Sequence, residues 1–409
     1  MKILLLLFIH FLIGITRLAQ AEPPRGPVAL GFANAMHSKI LNEERQFWVH
    51  LPYAATLAKD KVAENYPVIY LLDGDSNFNA VVSIVEHLSK EGRIPDMIVV
   101  GILHANRKKD MTVGVNIHEY PNDIEGKDAG GGAVFMRFIE KELMPYVESQ
   151  YAASPYRIFI GHSLGGLSVT HALLHQSKLF NAYISLDASL WWDNSRLVTE
   201  AKALLPQQNY AGKSLYLAMA NRLKPGMDLN TVLLDTSKET VLLRANLLFA
   251  DLVKKNPQNG LRFHSHFYSN ESHTSLPLIA EYDALRFIFD YYYFDMSKDS
   301  GNKEADFYPA IEAHFKIVSE KMGSLVPPNR ALVNGLGYRA LRNNQFDRAK
   351  QFFELNLKNY PKDANSYDSL GDYYFATGNK DKAKAMFAKA LQVEELPEAR
   401  TKLEAMKKE

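Results

Sequence analysis

Ile158-Phe-Ile-Gly161-His162-Ser163-Leu164-Gly165-Gly166 is an apolar run that ends in G-x-S-x-G and passes directly into the helix-compatible segment Leu167-Ser-Val-Thr-His-Ala-Leu-Leu174. Glycines two positions before and two positions after a serine have a steric reason in a strand-to-helix turn. Such a turn strains the serine backbone, and the strand and helix crowd together at the flanking positions. Gly161 and Gly165 meet that demand. The pattern predicts a nucleophile elbow, with Ser163 lifted above the end of a sheet. The backbone N–H groups that follow, beginning with Leu164, are then aimed at the place where an oxyanion forms. Elsewhere the same five residues are a glycine-rich turn carrying a serine; the flanking strand and helix select the catalytic reading.

The rest of the first three hundred residues fits that elbow. Arg45-Gln-Phe-Trp-Val-His-Leu-Pro52 alternates and stops at proline, as a strand entering a turn does. Tyr66 to Leu72 and Met97 to Leu103 are short continuous apolar runs, suited to strands buried on both faces of a parallel sheet. Helical spacing appears over Ala80 to Leu88 and over Ala133 to Tyr151. Beyond the elbow helix, Ala182 to Leu186, Ser214 to Ala220 and Arg262 to Tyr268 read as strands, with a helix from about Glu239 to Lys255. Strands alternating with helices predict a doubly wound α/β sheet.

Functional groups of such sheets gather at the carboxyl ends of the strands. Leu72-Asp73-Gly74-Asp75 follows the first apolar run, and the N–H of Asp75 is the candidate second oxyanion donor. Ser269-Asn-Glu-Ser-His273 follows the last strand, which makes His273 the candidate base in the chain order serine, acid, histidine. Asp187 and Asp193 follow one strand; Asp228, Asp235 and Glu239 follow the next. An acid placed after the strand ending near Ala220 leaves those last three, and periodicity does not rank them. His264 and His266 alternate on one strand face with no third metal ligand in view. His171 and His175 lack the glutamate of a zinc-protease motif, and Gly130-Gly131-Gly132 lacks the lysine of a phosphate-binding loop. No metal site is expected.

Lys2, the apolar run Ile3 to Ile15 and Ala19-Gln20-Ala21 have the three regions of a secretory signal peptide, so residues 1–21 are expected to be removed near Ala21. The run is shorter than the roughly 20 residues of a spanning helix, and the mature chain is expected to carry no transmembrane segment. Cysteine is absent, which excludes a disulfide framework and thiol chemistry and suits a periplasmic or secreted protein. A formal net charge of +1 across 409 residues offers no footprint for nucleic acid.

After the sheet-forming region at 22–296 comes a polar linker, 297–304, and the character of the chain changes over 305–409. Val333, Leu336, Gly337, Ala349 and Phe353 recur as Tyr367, Leu370, Gly371, Ala383 and Phe387, each 34 residues later. That is the tetratricopeptide period and pattern, giving two repeats at about 330–363 and 364–397, closed by Pro361 and Pro397, with a capping helix after them. Such repeats fit a protein or peptide partner, self-association, or a buttress for the larger domain.

Residues from about Ser38 to Phe289 resemble the putative esterase family of α/β hydrolases. That family holds esterase D, the ferric-enterobactin and salmochelin esterases and the mycobacterial mycolyl transferases. The resemblance rests on Arg45 to Pro52, Tyr70-Leu-Leu-Asp-Gly74, Val100-Gly-Ile with Arg107-Lys-Lys-Asp110-Met-Thr112, Phe138 to Pro145, Gly161 to Gly166, and Ser272-His273. It implies an α/β-hydrolase fold, a Ser163 nucleophile, a His273 base, an oxyanion hole from Leu164 and Asp75, and no cofactor. A mycolyl-transferase-like segment at Glu239 to Leu247 implies Glu239 as the acid, while the insertion Leu223 to Thr236 leaves Asp228 as the alternative and a Ser–His dyad as another. His162, Trp191 and Trp192 are the candidates to line the substrate. The small-molecule substrate expected is a carboxylic ester, with ferric siderophores among the compatible classes. An acyltransferase using the same residues, or a non-catalytic exported scaffold acting through its repeats, are the other readings.

Overall fold

The computed structural model describes residues 29–52, 65–114, 129–297 and 306–408. The expected signal peptide and nearly all of the expected linker lie outside these residues. Eight strands form one sheet: β1 (Phe32–Ser38), β2 (Glu43–His50), β3 (Tyr66–Leu71), β4 (Ile98–Ile102), β5 (Ala153–His162), β6 (Ala182–Leu186), β7 (Ser214–Ala220) and β8 (Arg262–Tyr268). Their spatial order is β1-β2-β4-β3-β5-β6-β7-β8; β2 is antiparallel to β1 and β4, and from β4 onward the strands are parallel. β1 was not foreseen, because it is an edge strand whose residues are largely exposed and write no apolar run.

The helices of the sheet domain are α1 (Gly74–Lys90), α2 (Arg107–Met111), α3 (Gly132–Phe138), α4 (Met144–Gln150), α5 (Leu164–His175), α6 (Trp192–Leu204), α7 (Val241–Lys254) and α8 (Leu276–Ile288). A π-helical turn at Ile139–Leu143 joins α3 to α4, so the helix expected over Ala133 to Tyr151 forms with one widened turn. Alternation along β3 divides the core. Val68, Tyr70 and Leu72 enter a cluster with α3, α4, α5 and α7, whereas Ile69 and Leu71 enter a second with α1 and α8. The inner strands β3, β4, β6 and β7 are thus buried on both faces, which explains their unbroken apolar runs.

The second cluster does not stop at the sheet domain. It continues from Tyr156, Phe289 and Phe307 through Ile311, Phe315 and Val318 of α9 (Tyr308–Met322) to Val333, Leu336, Phe352 and Leu355. Those last residues belong to α10 (Arg330–Arg342) and α11 (Phe346–Asn359), which are followed by α12 (Ala364–Ala376), α13 (Lys380–Val393) and α14 (Pro397–Lys408). The 34-residue offset has a direct counterpart in packing. A Cβ on Gly337 would stand 2.5 Å from the Phe353 ring, and Gly371 stands in the same relation to Phe387. Pro397 opens α14 rather than closing a repeat, as suits a residue whose missing N–H costs nothing in a first turn. Among the described residues, no helix is long and apolar enough to cross a membrane.

Candidate active site

Ser163 stands between β5 and α5 with φ 60° and ψ −114°, a backbone conformation that L-residues reach only under constraint. The constraint is visible. The Ser163 N–H donates to the Leu186 carbonyl at 2.9 Å, and its own carbonyl accepts from the N–H groups of Leu167 at 3.0 Å and Ser189 at 2.9 Å. A Cβ on Gly161 would collide with the Gly165 backbone, so strand and helix do meet there. Gly165 is different: its added Cβ would find only ordinary contacts, 3.5 Å to Leu72 and 3.6 Å to Asp73. The stricter second glycine is Gly166, where a Cβ would stand 2.8 Å from that of Ala188. The expectation that Gly165 itself must lack a side chain is therefore corrected. Gly165 supplies the backbone that Gly161 has to clear.

The acid also needs correction. His273 Nδ1 lies 2.6 Å from Asp187 Oδ2, at the end of β6, and the Asp187 side chain is fully buried. The other oxygen, Oδ1, accepts from the Ala220 N–H at the end of β7 across 3.0 Å. Asp187 takes φ 39°, and its N–H extends the β6–β7 ladder by donating to the Ala218 carbonyl. Arg222 adds a third neighbour, its Nε 3.6 Å from Oδ2. Neither acid expected from the next strand is near. The Glu239 side chain is 70% exposed and lies 3.7 Å from the Lys224 ammonium. Asp228 closes its own turn, accepting from the N–H groups of Asn230 and Thr231. The carboxylate that meets His273 thus follows Ser163 and precedes His273 in the chain, one strand earlier than expected.

His273 is partly exposed, and its ring lies 4.4 Å from that of His162, centroid to centroid. Burial, with His273 adding to it, pushes the His162 imidazole down to about 4, so it is neutral at ordinary pH. The Ser163 hydroxyl is 3.3 Å from that of Ser189, a buried residue two positions past the acid. Of the two expected oxyanion donors, Leu164 is the first residue of α5 and Asp75 the second of α1. Each N–H lies in a first helical turn, where no intrahelical acceptor exists. The close approach of Gly165 to Leu72 and Asp73 brings those two helix starts side by side. Trp192 is 6% exposed and packs into the first core cluster with Lys108 over its ring, so it builds the wall; Trp191 keeps some surface.

A network that the sequence did not suggest lies beneath the Asp73 turn. Arg107 donates to both Asp73 oxygens, from Nε at 2.6 Å and from a terminal nitrogen at 2.9 Å, and that nitrogen also reaches the His162 carbonyl at 3.1 Å. Behind it, buried Arg45 holds both oxygens of buried Asp110, which also meets His104 Nδ1 at 3.2 Å. Burial opposes the Asp110 charge, but the hydrogen bonds from His104 and Arg45 outweigh it and keep the carboxyl below its usual range. The signal was present, since Arg45, Arg107 and Asp110 all stand in segments singled out for resemblance, but nothing in one dimension pairs them. Among the described residues no cluster of three or more metal-ligating side chains occurs.

The geometry can be set beside known proteins. Over 167 residues the chain is 34% identical to the ferri-bacillibactin esterase BesA of Bacillus subtilis (strain 168), a match covering 37% of this chain and 56% of that protein. It is 26% identical over 178 residues to the siderophore enterobactin esterase of Emericella nidulans, covering 39% of this chain and 58% of that protein. The matched region thus spans a little over half the length of these relatives. Among solved structures, an IroE-like serine hydrolase from Shewanella oneidensis superposes with a TM-score of 0.67 at 29% identity, covering 80% of this chain and 99% of that one. The family described as Putative esterase matches residues 38–275, more than half of the chain and the whole span from β2 to His273. The chain belongs to the putative esterase family.

Proposed function

We propose that this protein is an exported serine esterase that hydrolyses carboxylic esters through Ser163, His273 and Asp187, with a siderophore ester as its substrate class. The observation that carries the reading is the buried Asp187 carboxylate on His273 Nδ1 beside a serine held at φ 60°. With Nδ1–H fixed on Asp187, the other nitrogen of His273 is left to accept the serine proton. Ser163 Oγ then attacks the ester carbonyl, and the oxygen that gains charge rests on the N–H groups of Leu164 and Asp75. Collapse of the tetrahedral species expels the alcohol, which takes the proton from His273. Water repeats the sequence on the acyl-enzyme and releases the acid. The names of the relatives support the substrate class, and the signal-like segment before Ala21 supports export. The 34-residue repeats are read as tetratricopeptide repeats that serve a protein or peptide partner or self-association.

The test is hydrolysis of a short p-nitrophenyl ester and of a ferric siderophore trilactone by residues 22–409, beside Ser163→Ala. Activity in the parent and none in the variant is the expected result. Equal rates in both, or no reaction with a fluorophosphonate in a folded parent, would overturn it.

A further inference from the structure

Arg107 has Asp73 and the His162 carbonyl as its hydrogen-bond partners, and so joins the two segments that carry the proposed oxyanion donors. Its guanidinium grips Asp73, two residues before Asp75, and the His162 carbonyl, two residues before Leu164. The attachment point at Asp73 is strained and crowded. Asp73 sits at φ 53° as the residue entering α1, and a Cβ on the next residue, Gly74, would stand 2.6 Å from the Gly101 backbone. The turn approaches β4 as closely as only a glycine allows, and Arg107 ties the residue just before that glycine to the elbow.

Charge gives the same residue a second duty. Asp73 Oδ2 stands 3.6 Å from the position a Cβ would take on Gly165, in the first turn of α5. A carboxylate is welcome at a helix N-terminus in the resting protein. It is unwelcome when a second negative charge grows on the same N–H groups, because like charges in a partly dry site repel strongly. The two-pronged bond from Arg107 cancels that charge where it stands. The arginine is itself held from behind. Its short helix, α2, is capped by the Asn106 side chain and anchored by the buried Arg45–Asp110 pair, and His104 links Asp110 to the Asp73 N–H at 3.4 Å.

We propose that Arg107 is a positioning residue of the oxyanion hole, clamping the Asp73 turn to the elbow and neutralising Asp73 so that the developing oxyanion meets donors rather than a facing carboxylate. This rests on the esterase reading above. Its test is a cycle of Arg107→Gln, Asp73→Asn and the double variant in residues 22–409. Each is assayed for kcat and KM on p-nitrophenyl butyrate, for inhibition by phenylboronic acid, and for thermal unfolding.

Arg107→Gln should lower kcat about 100-fold, the scale of one lost oxyanion donor, with KM changed less than about threefold and boronate affinity falling with kcat. The double variant should recover about tenfold of that loss, because removing the stranded carboxylate removes the repulsion. An Arg107→Gln kcat within threefold of the parent, a loss confined to KM, or a double variant no faster than Arg107→Gln would each overturn the clamp while leaving the esterase reading intact. A folded parent inert toward esters and fluorophosphonate would instead remove both. If Arg107→Gln does not fold, Arg107→Lys takes its place, keeping the charge and losing the fork. A reduced kcat at unchanged KM then supports the proposal, and a parental kcat overturns it.

Discussion

Asp187 and His273 are 86 residues apart in the chain and 2.6 Å apart in space, and the strand that delivers Asp187 is the immediate neighbour of the strand that delivers Ser163. Asp187 and Ser163 therefore share one β ladder, locked by the Ser163 N–H on the Leu186 carbonyl. Asp187→Asn keeps the shape of this arrangement but turns the His273 ring toward the wrong tautomer. The expected cost in kcat is about 10³–10⁴-fold, read on the same p-nitrophenyl ester. Glu239→Gln and Asp228→Asn should stay within about twofold of the parent, since both side chains are exposed and far from the histidine in the hydrogen-bond pattern.

The elbow glycines should separate in a stability assay. Gly161→Ala drives a methyl into backbone and is expected to abolish soluble folded protein. Gly166→Ala presses on Ala188, beside the acid, and should cost both melting temperature and kcat. Gly165→Ala meets only van der Waals distances and should melt within a few degrees of the parent. Circular dichroism melts of the three variants check the order.

Glu281 on α8 is 1% exposed, and neither carboxylate oxygen has a hydrogen-bond partner. Burial pushes its carboxyl up to about 8. Between the ordinary glutamate value of 4.5 and 8 the folded state holds a proton that the unfolded state releases, so stability falls as pH rises through that window. The slope is about 1.4 kcal/mol per pH unit, or about 5 kcal/mol over the whole window. Glu281→Gln should flatten this component in urea melts taken from pH 5 to 9; an unchanged slope would place the proton elsewhere.

His162 supplies the opposite sign. Its imidazole is pushed down to about 4, so the unfolded state gains a proton first as the solution is acidified. Stability from this residue is full above 6.5 and declines as pH falls toward 4. The ring should titrate by NMR with a midpoint near 4, and His162→Gln should reduce the acid-side decline in urea melts.

What was legible in the sequence follows from what each feature demands of residue type. The elbow was readable because crowding between strand and helix dictates glycine at Gly161 and Gly166 and because the apolar run from Ile158 to Ile160 that leads into it is buried. The helical region was readable because the contact of Gly337 with Phe353 is built again by Gly371 and Phe387 at a fixed spacing. The acid was not, because an aspartate after any of several adjacent strands satisfies the same chemistry. Only the β6–β7 ladder, which turns the Asp187 carboxylate between Ala220 and His273, distinguishes them. The Arg107–Asp73 bond was hidden for a similar reason, since ion pairing across 34 residues leaves no local pattern. The structure supplies those partners by topology alone.

With Asp187 at the end of β6 in contact with His273, the connection from β7 to α7 meets that pair at Ala220 and Arg222, before Leu223 to Thr236 begin. Within them Asp228 accepts from the N–H groups of Asn230 and Thr231, Asp235 accepts from Thr240 at the head of α7, Val232 is buried against Met219 and Leu243, and Leu234 is 83% exposed. The segment from Leu223 to Thr236 therefore follows β7, while Asp187 follows β6 and His273 follows β8, so a change of length in that segment leaves the contact of Asp187 with His273 to other strands.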